Sequence, residues 1–554
     1  MTASLQGDEI VLTPSSGSER IRLRAALENF AEGQYSSRQD TFLVPALYLQ
    51  QLLVAFPDLH VAGSEDLLST LHAQDVALSN ARESFDKNES SLVIGDWVGY
   101  LDEHQIRAVN ALVTPNLSGG CLFDEQGTGK TIMTIAAFDI LRKRTEIEQM
   151  IVVSPKSMLG SWHADICKCL ADKYRVGIIE GDQKKKREVA LDENDVYVVN
   201  YEGVSSVLTV LQTIARQRKT LLAVDESFFA KNPNAQRSQN VGRLRPFCQR
   251  CFVLCGTPAA NSPYDVINQV DLADGGRAFA GFRKTADVVQ DRERIRKVLN
   301  DKSLTIRRLK QDVMPNLPPK IFHVVSVEMP IKQRAMYEKA RDSLVLELKT
   351  YDAKKFRKSL ATYFQKRSVL LQLCSAPSMV DPTFTDPPAK LDKLDALVSE
   401  LVGQNRKVIV WTFYKESIRL LVEHFANLSP LVIDGETADK TAVVNAFQND
   451  ATRMMLIANP GAAGAGLTLH ASHDAIYYSY TNKAADYLQS LDRIHRRGQK
   501  SAEVSYYLFV CARTIEENEV LRLRQRELQQ HDVLGDTVVF PESLDDALAE
   551  LTGG

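Results

Sequence analysis

The sequence predicts an α/β protein: two tandem lobes built on doubly wound parallel sheets, with helical insertions, behind a small α+β N-terminal domain. Three observations predict it. Short continuous apolar runs at 150–153, 196–199, 221–224 and 252–254 read as strands buried on both faces. A second series follows at 407–411, 430–433, 454–457 and 475–478. Helical stretches separate the runs, and each of the first four ends in polar residues, where a doubly wound sheet gathers its ligands.

The first strand carries the most chemistry. Cys121-Leu122-Phe123 is apolar, Asp124-Glu125-Gln126-Gly127-Thr128-Gly129-Lys130-Thr131 is a glycine loop, and Ile132-Met133-Thr134-Ile135 opens a helix. Gly127 and Gly129 let backbone N–H groups turn inward around an anion, and the helix N-terminus adds partial positive charge. Gly127, Thr128, Gly129, Lys130 and Thr131 are therefore candidate ligands of ATP, with Lys130 reaching the β and γ phosphates and Thr131 suited to Mg²⁺. Asp124 stands where the usual pattern has glycine. Ahead of the loop, Leu101-Asp102-Glu103-His104-Gln105 reads as a helix start, and the Gln105 amide suits both the donor and acceptor edges of adenine. After the run at 221–224, Asp225 suits Mg²⁺ through its water shell, and Glu226 suits polarising an attacking water.

The bulk numbers set the frame. At ~150 residues per domain, 554 residues make three or four domains. A net charge of −3 gives no global attraction to nucleic acid, so any such contact needs local basic patches. No run approaches the ~20 apolar residues of a membrane span, and the N-terminus lacks a secretory pattern. A cytoplasmic location without membrane contact is expected, with a nuclear one left open. The eight cysteines form no metal framework: Cys251 and Cys255 flank an apolar strand, and Cys167 and Cys169 face different sides of a helix. Buried, reduced thiols are expected.

Taken in order with Ser161-Trp162, Asn200-Tyr201-Glu202, Gly256-Thr257-Pro258 and the stretch Gln489 to Gln499, these motifs resemble the Swi/Snf-type ATPases, superfamily-two helicase-like translocases. The resemblance covers roughly 95–525, and the family's residue matching Asp124 is usually acidic. The compact length and the Leu488-Gln489-Ser490 context look most like prokaryotic or phage members. It implies two RecA-like lobes at 91–318 and 319–525, the second with a helical insertion near 331–380. An accessory domain at 1–90 and a tail at 526–554 flank them. It implies catalytic roles for Lys130, Asp225, Glu226, Gln489, Arg493 and Arg496, the two arginines acting as fingers toward a γ-phosphate. On a helix, arginines three apart share a face; the alternative is a pair of surface salt bridges. It implies nucleic-acid contacts at Ser154, Lys156, Tyr201, Thr412 and Thr468, and coupling through Gly256, Thr257, Gly464 and Gly466. The expected partner is double-stranded DNA, tracked by a monomer that hydrolyses ATP with Mg²⁺. A strand-separating helicase, a non-catalytic ATP switch and a small-molecule phosphotransferase are the alternatives. The chain departs from the family at Ser227-Phe228, where Ala-His is frequent, at Arg497, and at Asn261, shifted by Ala259-Ala260.

The remaining stretches are read more plainly. Residues 1–90 hold a strand at 9–12, helical spacing at 19–30 and 45–56, and a polar stretch at 84–90. They are similar, over Tyr35 and 42–53, to the HARP-type modules before some DNA-annealing translocases; a small packing or partner-binding domain is the reading taken. Arg307-Arg308, ahead of the linker Leu317-Pro318-Pro319-Lys320, is either a solvated helix face or a DNA or inter-lobe contact. The basic runs 184–187 and 354–358 are either solvated or touch phosphate, which would make binding salt-sensitive.

Overall fold

Three sheets organise the chain. The computed structural model describes residues 1–7, 9–27, 34–36, 41–86, 97, 99–170, 173–259, 262–463, 467–481, 484–528 and 543–552. The chain divides into two units, Met1–Leu309 and Lys310–Gly554.

The first unit holds two sheets. Strands β1 (Thr2–Gln6), β2 (Glu9–Thr13), β3 (Gln34–Ser36), β4 (Thr41–Pro45) and β5 (Val61–Ala62) form one, in the order β3-β4-β2-β1-β5. Burial alternates along β2, so Ile10 and Leu12 enter a core with Phe42, Val44, Leu49 and Leu52. The spacing at 84–90 reads as linker, but Ser84, Phe85 and Asp86 form the end of the 22-residue helix Glu65–Asp86, whose first turn carries Glu65 and Asp66 to suit its dipole. Residues 87–90 lie outside the described residues.

The other sheet comprises β6 (Gly119–Leu122), β7 (Gln149–Ser154), β8 (Val176–Ile179), β9 (Val196–Asn200), β10 (Thr220–Asp225), β11 (Arg250–Leu254) and β12 (Thr305–Ile306). All pairs are parallel, in the order β12-β6-β11-β10-β7-β9-β8. Every residue of β6, β7, β9, β10 and β11 is buried, which is why they read as unbroken apolar runs. The edge strands β8 and β12 are alternating or only two residues long, and so escaped the pattern.

The second unit is built on β13 (Lys320–Val327), β14 (Val408–Trp411), β15 (Leu431–Ile433), β16 (Met455–Ala458), β17 (Asp474–Tyr477) and β18 (Val504–Cys511). They are again all parallel, in the order β13-β18-β17-β14-β16-β15. Neighbouring residues go to opposite faces: Ile409, Trp411 and Leu456 enter one core, Val408, Val410 and Met455 the other. A third core joins the helices Ile331–Leu348 and Leu360–Ser375 to the last helix, Leu544–Thr552. The expected tail at 526–554 is thus revised, because that helix is an integral layer of this unit. Its Glu550 accepts from Arg367 Nη2 (2.6 Å), Arg522 Nη2 (2.7 Å) and Tyr363 Oη (2.7 Å), and Arg367 also meets Glu519. Among the described residues no helix is long and apolar enough to cross a membrane.

This clamp has a pH signature. Burial opposes the charge on Glu550, but Arg367 and Arg522 outweigh it and hold the carboxyl below its ordinary range. Its contribution is therefore complete above the unfolded pKa of ~4.3 and is lost as pH falls through the lower folded value. Glu550→Ala should cost about 2–4 kcal/mol of unfolding free energy at neutral pH by urea denaturation. That deficit should shrink below about pH 4; a pH-independent deficit would assign it to packing alone.

Candidate nucleotide site

The carboxyl ends of β6, β10 and β11 converge on the glycine loop. Residues 121–125 run beside 304–308: Cys121 N donates to Leu304 O, Phe123 N to Ile306 O and Glu125 N to Arg308 O. Asp124 is fully buried and accepts from Arg308 Nε at 3.1 Å. Arg308 Nη1 also donates to His104 O, and Arg307 Nη1 donates to Phe123 O and to Gly256 O. The Arg307-Arg308 pair is therefore not a solvated helix face. It ties the ends of β6 and β11 together beneath the loop, because a buried Asp124 needs a cation.

The loop is held from one side by the helix Glu103–Leu112. The Thr128 carbonyl accepts from Gln105 Nε2 (2.9 Å) and from His104 Nε2 (3.0 Å). Burial lowers the His104 pKa and keeps the ring neutral. Gln105 Oε1 accepts from Asp102 N at 3.0 Å. Both ends of the amide assigned to adenine are thus bonded to protein, and Gln105 acts as a brace between helix start and loop. Gly129 has φ +93°, and a Cβ there would lie 2.2 Å from Gln105 Nε2; only glycine fits. Lys130 Nζ donates back to Asp124 O (2.8 Å) and Glu125 O (3.2 Å), which hold the ammonium against the loop it serves. Thr131 is half-buried in the first turn of the helix Lys130–Lys143.

The acidic pair is locked in orientation. Asp225 Oδ2 accepts from Trp162 Nε1 at 2.8 Å, and Oδ1 accepts from Glu226 N at 2.9 Å. Burial raises the Asp225 pKa, opposed by the Trp162 bond and the Lys130 charge. Both of these bonds come from neutral N–H donors, so a divalent cation fits Asp225 beside them. Glu226 sits at φ +47°, a conformation costly for a non-glycine residue. Its Oε1 accepts from Gln126 Nε2 at 3.1 Å, and Gln126 lies across Gly256, where a Cβ would meet Gln126 Cγ at 2.4 Å. Ser227 Oγ donates to Gln269 Oε1 (2.6 Å), and Gln269 Nε2 donates to Pro258 O (2.7 Å). The Ser227 departure thus connects the acidic pair to the turn containing half-buried Thr257.

Three expected nucleic-acid contacts are overturned. Ser154, Tyr201 and Thr412 are buried. Tyr201 Oη donates to Asp225 O at 2.8 Å, Ser154 Oγ donates to Pro155 O, and Thr412 Oγ1 pairs with Ser479 Oγ. All three lie at or just after the carboxyl ends of strands, and Tyr201 supports the acidic pair. Lys156 has an exposed side chain and pairs with Glu180 at 3.5 Å, while Thr468 is half-buried.

In the second unit, Gln489 lies on the helix Ala484–Leu491, which ends before Arg493. The expected shared helix face is thus corrected: Arg493 and Arg496 sit in tight turns, with Arg493 N donating to Ser490 O and Arg496 N to Ile494 O. They converge nonetheless, since Arg493 Nη1 (3.4 Å) and Arg496 Nη1 (3.0 Å) both donate to Leu467 O. Lys310 Nζ holds the turn through Asp492 Oδ1 (2.6 Å) and His495 O (2.9 Å). His495 Nε2 donates to Pro318 O at 2.9 Å, and burial pushes its pKa down to about 4. Arg497 is exposed, and Gly464, Gly466 and Asn261 lie outside the described residues.

Sequence reasoning gave no role to Trp162, Gln126 or Lys310, and did not foresee that Arg308 pairs with Asp124. A buried indole N–H requires an acceptor, so Trp162 carried a signal. The partner of Arg308 is 184 residues away and carried none.

Comparisons with known proteins agree on a family. The model described as SNF2-related domain matches residues 104–379, and the one described as helicase conserved C-terminal domain matches 389–498. The ISWI chromatin-remodeling complex ATPase ISW1 of Saccharomyces cerevisiae is 27% identical over 475 residues, covering 78% of this chain and 41% of its own. An ATP-dependent helicase of Mycoplasma pneumoniae is 26% identical over 454 residues, covering 77% and 41%. The Sulfolobus solfataricus SWI2/SNF2 ATPase core in complex with dsDNA aligns at TM-score 0.36 and 20% identity, over 82% of this chain and 97% of that one. The chain spans 41% of the length of these two curated relatives.

The glycine geometry makes a direct prediction. Gly129→Ala should weaken binding of a fluorescent ATP analogue by about 100-fold or more, equivalent to ~2.7 kcal/mol. Adding Gln105→Ala should not restore it, since the left-handed backbone remains strained; full restoration would reduce the requirement to the Gln105 contact.

Proposed function

From the premise that this chain belongs to the SNF2 family, we propose that it is an ATP-driven translocase on double-stranded DNA. The observation that carries the reading is the arrangement of Lys130, Asp225 and Glu226 around one glycine loop. Backbone N–H groups of the loop receive the ATP phosphates, and Lys130 exchanges its two carbonyl partners for phosphate oxygens. Thr131 and Asp225 would hold Mg²⁺, which when bound neutralises charge developing on the β and γ phosphates. Glu226, aimed by Gln126 and by its own backbone, accepts a proton from the attacking water. Arg493 and Arg496, gathered at Leu467 O, supply fixed positive charge for the γ-phosphate. Gln489 lies on the helix leading into that turn.

The link from Ser227 through Gln269 to Pro258 supports a coupling role for Gly256 and Thr257. Exposed Lys156 and half-buried Thr468 remain the candidate polymer contacts. The relatives, a chromatin-remodeling complex ATPase and an ATP-dependent helicase, support an ATP-driven motor. We take the chain to act as a monomer in the cytoplasm, with residues 1–90 available to a protein partner.

The test is ATP turnover with no polymer, single-stranded DNA, double-stranded DNA or RNA. Stimulation by duplex DNA together with displacement of a triplex-forming strand is expected. Stimulation by single strands or RNA with duplex unwinding would establish a strand-separating helicase instead. Lys130→Ala should abolish turnover, and Glu226→Gln should bind ATP without hydrolysing it. Arg496→Ala should lower kcat by ~10³-fold; a loss under about tenfold would leave it a structural donor to Leu467 O.

A further inference from the structure

The chain passes from the first unit to the second between Leu309 and Lys310. Arg308, one residue back from this junction, and Lys310, directly after it, each pair with a carboxylate of the candidate site residues in their own unit. In the first, Arg308 meets Asp124, which opens the phosphate loop and is fully buried. In the second, Lys310 is 1% exposed and donates to Asp492 and to the carbonyl of His495. Those two residues bracket Arg493, and His495 directly precedes Arg496.

Only Leu309 separates Arg308 from Lys310, so their Cα atoms lie no more than about 7 Å apart. Both ties are buried charge pairs, which do not let go under a small displacement because each freed charge would be left uncompensated. Arg308 is further fixed by His104 O, and its own carbonyl accepts from Glu125 N in the loop. Neither tie is needed to explain the other.

We propose that Arg308-Leu309-Lys310 is a positioning strut linking the state of the phosphate loop to the presentation of Arg493 and Arg496. Phosphate entering the loop shifts Asp124, Arg308 follows, and the shift crosses one residue to Lys310 and hence to Asp492. Arg308 and Lys310 act through Asp124 and Asp492, so both are positioning residues. The inference rests on the motor reading above.

The discriminating variant, in the full chain, inserts two glycines after Leu309. It preserves both ion pairs and lengthens only the tether between them. Fluorescent ATP-analogue affinity, thermal midpoint, and KM and kcat with and without duplex DNA are measured. The strut predicts unchanged analogue affinity and midpoint, KM for ATP within about twofold, and duplex-stimulated kcat at least ~10-fold lower. Lys310→Met should lower the duplex-stimulated kcat likewise, together with the midpoint because Asp492 is left uncompensated, and Lys310→Arg should restore both in part. An insertion variant that turns over like the wild type overturns the strut. So does one whose affinity, midpoint and rate all fall together, which makes the junction structural. A wild type that no polymer stimulates rejects the motor reading itself, and the strut with it.

Discussion

The buried Asp124–Arg308 pair is the constraint on which the first unit depends. A carboxylate at the base of a phosphate loop, wholly removed from water, is tolerable only with a cation and further hydrogen bonds. Arg308 supplies the cation, and its carbonyl also accepts from Glu125 N. Its position follows from β12, which pairs in parallel with β6 and brings 304–308 alongside 121–125. The base of the loop is therefore braced by the last strand of the unit and the residues that follow it.

The second unit solves the same problem repeatedly. Lys310–Asp492, Lys390–Glu516 and Arg367–Glu550 are all ion pairs with both side chains buried or nearly so. Each joins stretches distant in sequence: the linker to the arginine turn, the helix Leu391–Gly403 end to the segment after β18, and the helical insertion to the last helix. Such pairs gain their value from being complete. Removing one partner strands a charge, so these contacts specify which segments meet more than they add net stability.

Much of this was legible in the residues. Strands buried on both faces must be apolar throughout, so seven central strands announced themselves between 150–153 and 475–478, with the edge strand β15 beside them. The glycine loop was legible because Gly127 and Gly129 take φ of +84° and +93°, which other residues rarely adopt. Other elements were silent for physical reasons. Edge strands β8 and β12 bury too little to show a continuous run. Ser154, Tyr201 and Thr412 have the chemistry of polymer contacts, yet each closes a strand end from within. Spacing alone gave Arg493 and Arg496 a common helix face, whereas Lys310 and Pro318 hold that stretch in turns.

The sequence by itself determined the α/β class, the phosphate loop and the acidic pair, because these follow from local periodicity and from conformations that only certain residues accept. Tertiary structure alone decided what holds them. Trp162 orients Asp225, Gln126 orients Glu226, Gln105 braces Thr128, and Arg308 neutralises Asp124. Those partners lie tens to hundreds of residues apart, and a hydrogen bond or ion pair depends on distances in space, which no spacing along the chain encodes.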